Sequence, residues 1–174
     1  MKNSNESIRL AGIVRESITD GPGIRFTIFV QGCPHHCKQC HNEGTWPFDG
    51  GKDISLQRLL EEIDKDPILK GVTFSGGEPI CQSMQLKKLA REIKKRKLDL
   101  VVFTGYRYEQ LIKESNSDVL ELLEYTDLLI DGPFEIENRD LTLKFRGSRN
   151  QRIIDMNKTR KYNKLILANE YMVW

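Results

Sequence analysis

Residues 71–104, GVTFSGGEPICQSMQLKKLAREIKKRKLDLVVFT, contain a strand, a helix and a second strand in succession. The apolar, β-branched run at 71–75 leads into Gly76-Gly77-Glu78-Pro79. Leu86, Leu89, Ala90 and Ile93 then recur at helical spacing over 83–97, and 98–104 is a second apolar run that stops at Gly105. A strand, a crossover helix and another strand form a right-handed βαβ unit, which makes the two strands parallel neighbours. The pattern repeats outward. Residues 107–125 read as one or two helices, and 127–131 as a strand stopping at Gly132-Pro133. Towards the N-terminus, Leu56, Leu59, Leu60 and Ile63 predict a helix over 55–64 with Ser55 as its cap. Residues 8–14 and 24–30 read as two strands joined through the turn residues Asp20-Gly21-Pro22-Gly23. Beyond 133 the signal weakens, with 141–143, 153–154 and 165–167 as short strand candidates. The expected fold class is α/β, a mostly parallel sheet with helices outside it, with residues 1–174 as a single domain.

Composition supports a folded chain and excludes several functions. With 174 residues, 39% hydrophobic and 30% charged, the chain can bury one core and is not a low-complexity or disordered polymer. A net charge of +2 is too small for a whole-protein field that would collect nucleic acid or anionic membrane. No apolar run approaches a bilayer span, and residues 1–6 are polar with no apolar leader behind them, so the cytoplasm is the expected location.

In such sheets, ligands gather where the carboxyl ends of the strands meet loops. The loop after the 24–30 strand, residues 31–52, has neither helical nor strand period, and it carries Cys33-Pro34-His35-His36-Cys37-Lys38-Gln39-Cys40. Gaps of three and two residues let three thiolates curl around one object, and soft thiolates suit an iron–sulfur cluster or zinc. Three ligands to a [4Fe–4S] cluster would leave one iron open to a substrate, whereas an electron carrier normally uses four. The competing reading is zinc held by the three cysteines and one of His35, His36 or His41. Cys81 could serve either metal as a fourth ligand; lying among apolar neighbours, it is expected instead to be a buried small hydrophobe. At the next strand end, Gly76-Gly77 permits close backbone approach, and Glu78 offers a carboxylate to an ammonium group.

Together these motifs resemble the radical S-adenosylmethionine superfamily, built on Cys-x3-Cys-x2-Cys. More narrowly, Asp20-Gly21-Pro22-Gly23-Ile24-Arg25-Phe26, His41-Asn42-Glu43-Gly44-Thr45-Trp46, residues 127–134 (DLLIDGPF) and 145–152 (FRGSRNQR) resemble the activases of glycyl-radical enzymes. The likeness runs from about residue 9 to 154. It implies a partial (β/α) barrel with Cys33, Cys37 and Cys40 on three irons of a [4Fe–4S] cluster. It implies Gln39, Cys40 and His41 beside the adenosyl group of S-adenosyl-L-methionine, and Gly76, Gly77 and Glu78 at its methionine amino group. Asp131 is expected near the methionine carboxylate or a cation, and residues 20–25 near the partner's glycyl loop. The superfamily often has an aromatic residue before the third cysteine; Gln39 stands there instead, which makes His41 the candidate neighbour of the adenine. No side chain is needed as a catalytic acid or base. The implied reaction is reductive cleavage of S-adenosylmethionine to a 5′-deoxyadenosyl radical, which places a glycyl radical on an anaerobic ribonucleoside-triphosphate reductase. The electron would come from reduced flavodoxin or a similar donor. The alternatives are another glycyl-radical enzyme or a small molecule as target, and a zinc-binding adaptor.

The remaining signals have plainer readings. The basic helix over 83–97 is a solvated outer face. Residues 144–164 hold eight basic residues against Asp155 alone, yet carry no nucleic-acid module; Arg149 and Arg152 are expected to dock an acidic protein face. Trp46 is expected to pack the cysteine loop, and the terminal Trp174 to be either an anchor or frayed.

Overall fold

The computed structural model describes residues 6–172, so Trp174 lies outside the described residues. Seven strands form one sheet: β1 (Ser7–Ser17), β2 (Arg25–Val30), β3 (Lys52–Ser55), β4 (Gly71–Gly76), β5 (Asp99–Thr104), β6 (Leu128–Asp131) and β7 (Arg152–Asp155). Their spatial order is β3-β1-β2-β4-β5-β6-β7. The helices are α1 (Leu56–Asp64), α2 (Ser83–Lys95), α3 (Tyr108–Glu114), α4 (Ser117–Tyr125), α5 (Met156–Tyr162) and α6 (Asn169–Met172).

The expected parallel sheet is the central part. Thr27 pairs with Thr73, Thr73 with Val101 and Val101 with Leu128, all in parallel registers. Antiparallel strands extend it on both sides: β1 and then β3 beyond β2, and β7 beyond β6. One face carries Phe26, Ile28, Phe74 and Val102, which pack with Leu59, Leu86, Leu89 and Ile93 of the helices, all buried. Each such side chain contributes about 1.5–3 kcal/mol by leaving water. On the opposite face the alternation of β2 and β4 buries Arg25, Thr27 and Thr73, three polar side chains with no exposed surface. There the Arg25 guanidinium donates to Thr73 Oγ1 at 2.7 Å, to Pro22 O at 3.0 Å and to Val72 O at 2.8 Å. Thr73 Oγ1 donates in turn to Asp20 O at 2.8 Å. The Asp20–Gly23 loop is therefore tied to the sheet from beneath.

The expected helix over 55–64 begins at the Ser55 cap, whose hydroxyl accepts the Arg58 N–H at 3.2 Å. The 107–125 stretch divides where Ser115 turns left-handed (φ 52°) and Asn116 caps α4 by accepting from Asp118 and Val119. Residues 141–143 form no strand, and Leu167 makes a single bridge to Ile154. The basic face of α2 meets the acids of α4: Lys87 pairs with Asp118 at 3.0 Å and, like Arg91, reaches Glu121.

Two ion-pair clusters predict how stability responds to acid. Hydrogen bonds from Lys65 and Arg15 hold Glu62 at about 2, and hydrogen bonds from Arg152 hold Glu109 at about 2, against an ordinary value of 4.5 for both. A carboxylate depressed in the folded state stabilises it fully above the ordinary value, and the contribution is lost as pH falls towards the depressed one. The urea midpoint of the protein is expected to stay level from pH 7 to about 5 and to fall between about 5 and 2. Glu109→Gln should flatten part of that fall; a variant with an unchanged acid limb would remove this pair from the explanation.

Candidate metal centre

Strands β2, β4, β5 and β6 end on one rim, and the loops leaving them enclose a cavity of about 370 Å³. Cys33, Cys37, Cys40 and His41 line it from the first loop, and Gly76 and Gly77 from the second. Asp20 lines it from the β1–β2 turn, while Phe134, Phe145 and Arg146 reach it from the segment after β6.

The cysteine loop is held at both ends. Gly32 N–H donates to Thr45 O at 2.7 Å and Cys33 N–H to Trp46 O at 3.1 Å, which closes the loop at its base. Within it, His36 (φ 49°) and Gln39 (φ 58°) take left-handed backbone, a conformation that bends the chain sharply and is uncommon outside glycine. The His36 ring meets Trp46 edge-on at 4.8 Å, so Trp46 packs this loop. Asn42 N–H points at Cys40 Sγ from 3.4 Å, the kind of contact that tunes a bound metal's charge. Burial pushes the Cys33 and Cys37 thiols above their ordinary value. Loading a metal must therefore expel protons from these groups.

Three thiols border one cavity, and the fourth cysteine, Cys81, is absent from its lining. Among the described residues, no three His, Cys, Asp or Glu side chains converge closely enough to grip a single ion. Thiols spread around a roomy cavity suit a larger object carrying several metal atoms.

Several expectations are corrected. Glu78 does not offer its carboxylate to the cavity: it has no exposed surface, and both oxygens are taken. Oε2 accepts from Gly105 N–H at 2.8 Å and lies 2.6 Å from His35 Nε2; Oε1 accepts from Ile80 N–H at 3.0 Å. Glu78 thus joins the cysteine loop to the end of β5, with the His35 ring edge-on to Tyr106 at 4.5 Å. Gln39 is outside the cavity lining, while Cys40 and His41 are in it. Asp131 is buried and absent from the cavity lining, and both its oxygens are bonded within the protein, to Arg152 and, at 2.8 Å, to Tyr108 N–H. Arg152 is engaged within the fold by Asp131 and Glu109. Cys81 is exposed, not buried. The segment 134–151 was missed as cavity wall; its only signal was the FRGSRNQR run. Among the described residues, no helix is long and apolar enough to cross a membrane.

The family model described as a 4Fe-4S single cluster domain matches residues 19–154. Several curated proteins are similar over most of their length, each named anaerobic ribonucleoside-triphosphate reductase-activating protein. That of Haemophilus influenzae is 36% identical over 144 residues, covering 77% of this chain and 89% of its own. That of Enterobacteria phage T4 is 35% identical over 141 residues, covering 77% and 85%. That of Escherichia coli K12 is 31% identical over 142 residues, covering 77% and 90%. Among solved structures, QueE from Escherichia coli shares 18% identity at a TM-score of 0.40, over 60% of this chain and 58% of its own.

Proposed function

Since the chain belongs to the family of anaerobic ribonucleoside-triphosphate reductase-activating proteins and carries its 4Fe-4S domain, we propose that it installs a glycyl radical on that reductase, using S-adenosyl-L-methionine as co-substrate. The observation that carries this reading is the ring of Cys33, Cys37 and Cys40 around one cavity with no fourth cysteine in its lining. When bound, the cluster and S-adenosylmethionine supply a one-electron reductive cleavage of the sulfonium, whose product removes a hydrogen from a glycine Cα of the partner. The chain's own part is binding, orientation and exclusion of water.

Cys33, Cys37 and Cys40 would hold the cluster, and with three thiolates for four irons one iron would be left open to S-adenosylmethionine. Gly76 and Gly77 present backbone to the methionine amino group. Cys40 and His41 border the adenosyl group. Glu78 acts through His35 and Gly105: by fixing the cysteine loop against β5 it sets the distance between thiols and glycines. Thr19 and Asp20, held from below by Arg25 and Thr73, form the edge that receives the partner's glycine loop. Reduced flavodoxin or a similar low-potential carrier supplies the electron, in the reducing cytoplasm that free thiols require.

The test begins with anaerobic reconstitution by iron and sulfide. Dithionite-reduced protein should show a [4Fe–4S]⁺ paramagnetic resonance signal that changes when S-adenosylmethionine is added. Mixing with the reductase should then produce a glycyl radical signal on the large partner. Zinc without sulfide would sink the enzyme reading, and a cluster that responds to S-adenosylmethionine but leaves the reductase silent would move the target elsewhere.

A further inference from the structure

Resting on the reading above, we propose that Arg146 is the binding residue for the carboxylate of S-adenosylmethionine. Among the described residues lining the cavity, Arg146 is the one lysine or arginine. Its guanidinium carries a permanent charge and five N–H donors. A single hydrogen bond is formed inside the protein, from Nη1 to Gln151 O at 3.1 Å, and Nε is buried without a partner. A guanidinium on a cavity wall that spends one of its five donors inside the protein points to a ligand with acceptor oxygens. Burial also lowers the ordinarily very high value of this group, while the Asp140 charge opposes that only in part. Half-buried on the cavity wall, the guanidinium forms no ion pair with a carboxylate among the described residues.

The segment that carries Arg146 is built to hold it still. Phe145, just before it, takes left-handed backbone (φ 56°), an arrangement that a bulky residue keeps only where its surroundings over-determine it. Its ring packs edge-on against Tyr171 at 5.7 Å. On the other side, Gly147 N–H and Ser148 N–H both donate to Gln151 Oε1, at 2.9 and 3.2 Å. Gln151 Nε2 donates to Gly132 O at 3.1 Å and Asn150 Nδ2 to Pro133 O at 2.8 Å, so the turn is fastened to the end of β6. A planar fork of donors, held in one place, matches a carboxylate better than a diffuse anion. Of the basic groups in the wall, His35 is already engaged by Glu78. Arg146 thereby complements Gly76 and Gly77: they take the ammonium end of the amino acid and Arg146 takes its carboxylate.

The test is equilibrium binding to the cluster-loaded protein under anaerobic conditions, with S-adenosylmethionine and its decarboxylated analogue as probes. Arg146→Met should weaken S-adenosylmethionine about tenfold to a hundredfold, the range for a charge-assisted pair, and the decarboxylated analogue less than threefold. Arg146→Lys should recover part of the loss for the first ligand alone. Iron and sulfide content at the wild-type level verifies that the variants are folded and loaded; a variant that fails to load is replaced by Arg146→Gln in the same comparison. Equal losses for both ligands, or none for either, overturn the assignment while leaving the proposed activity standing. A wild-type protein that loads its cluster yet binds no S-adenosylmethionine overturns both.

Discussion

Gly77→Ala is expected to leave a protein with helical and strand content near that of the wild type, but with little retained iron and at least a hundredfold less activation of the reductase. A Cβ at this position would stand 2.3 Å from Gly32 O, 2.8 Å from Gly32 C and 3.1 Å from Thr45 O, all backbone atoms at the base of the cysteine loop. None can swing aside as a side-chain end would. The end of β4 must therefore part from the loop, which breaks the bonds from Gly77 N–H to Val30 O and from Glu78 N–H to Gly32 O, both 2.8 Å. The same movement draws Glu78 away from His35. Displacements of about 1 Å at a reacting centre cost on the order of a hundredfold in rate. Gly44→Ala is the control, because a Cβ there meets nothing within 4 Å. Iron and sulfide analysis after reconstitution, with a radical yield assay, decides the matter. Wild-type values for Gly77→Ala would show that the strand end and the loop need not stay in register.

Arg25→Met should be the most destabilising substitution of a side chain that never touches the cavity. The guanidinium has no exposed surface, and besides its four neutral acceptors, the fourth being Asp99 O at 3.4 Å, it lies 2.6 Å from Asp99 Oδ1. Methionine fills the length of the site but leaves the Val72 and Pro22 carbonyls and the Asp99 charge without their donor. Asp99 is 29% exposed and can be rehydrated, so the loss comes from the buried acceptors left unmatched, about 1–3 kcal/mol each against a domain's net stability of roughly 5–15 kcal/mol. Denaturation of the apoprotein should show the loss directly. Because Arg25 also bonds Pro22 O, residues 18–24 should exchange their amide hydrogens faster than in the wild type. A loss below about 1 kcal/mol would mean that water replaces the guanidinium, contrary to its complete burial.

The central strands were legible because each is a short apolar run that stops at glycine, as in Phe74 to Gly76 or Phe103 to Gly105. Buried on both faces, such strands leave a strong mark in the sequence. β3 left none: Lys52, Asp53 and Ser55 are polar, and the strand exists because β1 offers it an edge and Arg9 grips Asp53 at 2.8 Å. The cavity's cysteines and glycines were legible from spacing, since their neighbours along the chain are also their neighbours in space. Glu78 was not, because two of its three partners, His35 and Gly105, are remote in sequence. A carboxylate after two glycines looks the same whether it faces a ligand or the core. Cys81 was misread for a local reason. The Pro79–Gln82 turn leaves Cys81 exposed, while Gln82 bonds the backbone of Arg9 and Gln31. In the basic segment, Arg152 resembles its exposed neighbours until Asp131 and Glu109 are found beside it.

Cys33 and Arg146 meet in one cavity although most of the chain lies between them. At roughly 5–20 residues per second of synthesis, the thiols leave the ribosome about 5–20 s before the segment that completes their enclosure. Throughout that interval the cysteine loop is an open chelator without β4, Glu78 or the Phe145 turn to shape it. On the proposed reading, loading of the cluster is expected to follow closure of the chain, because only then do β4 and the Phe145 turn stand beside the thiols.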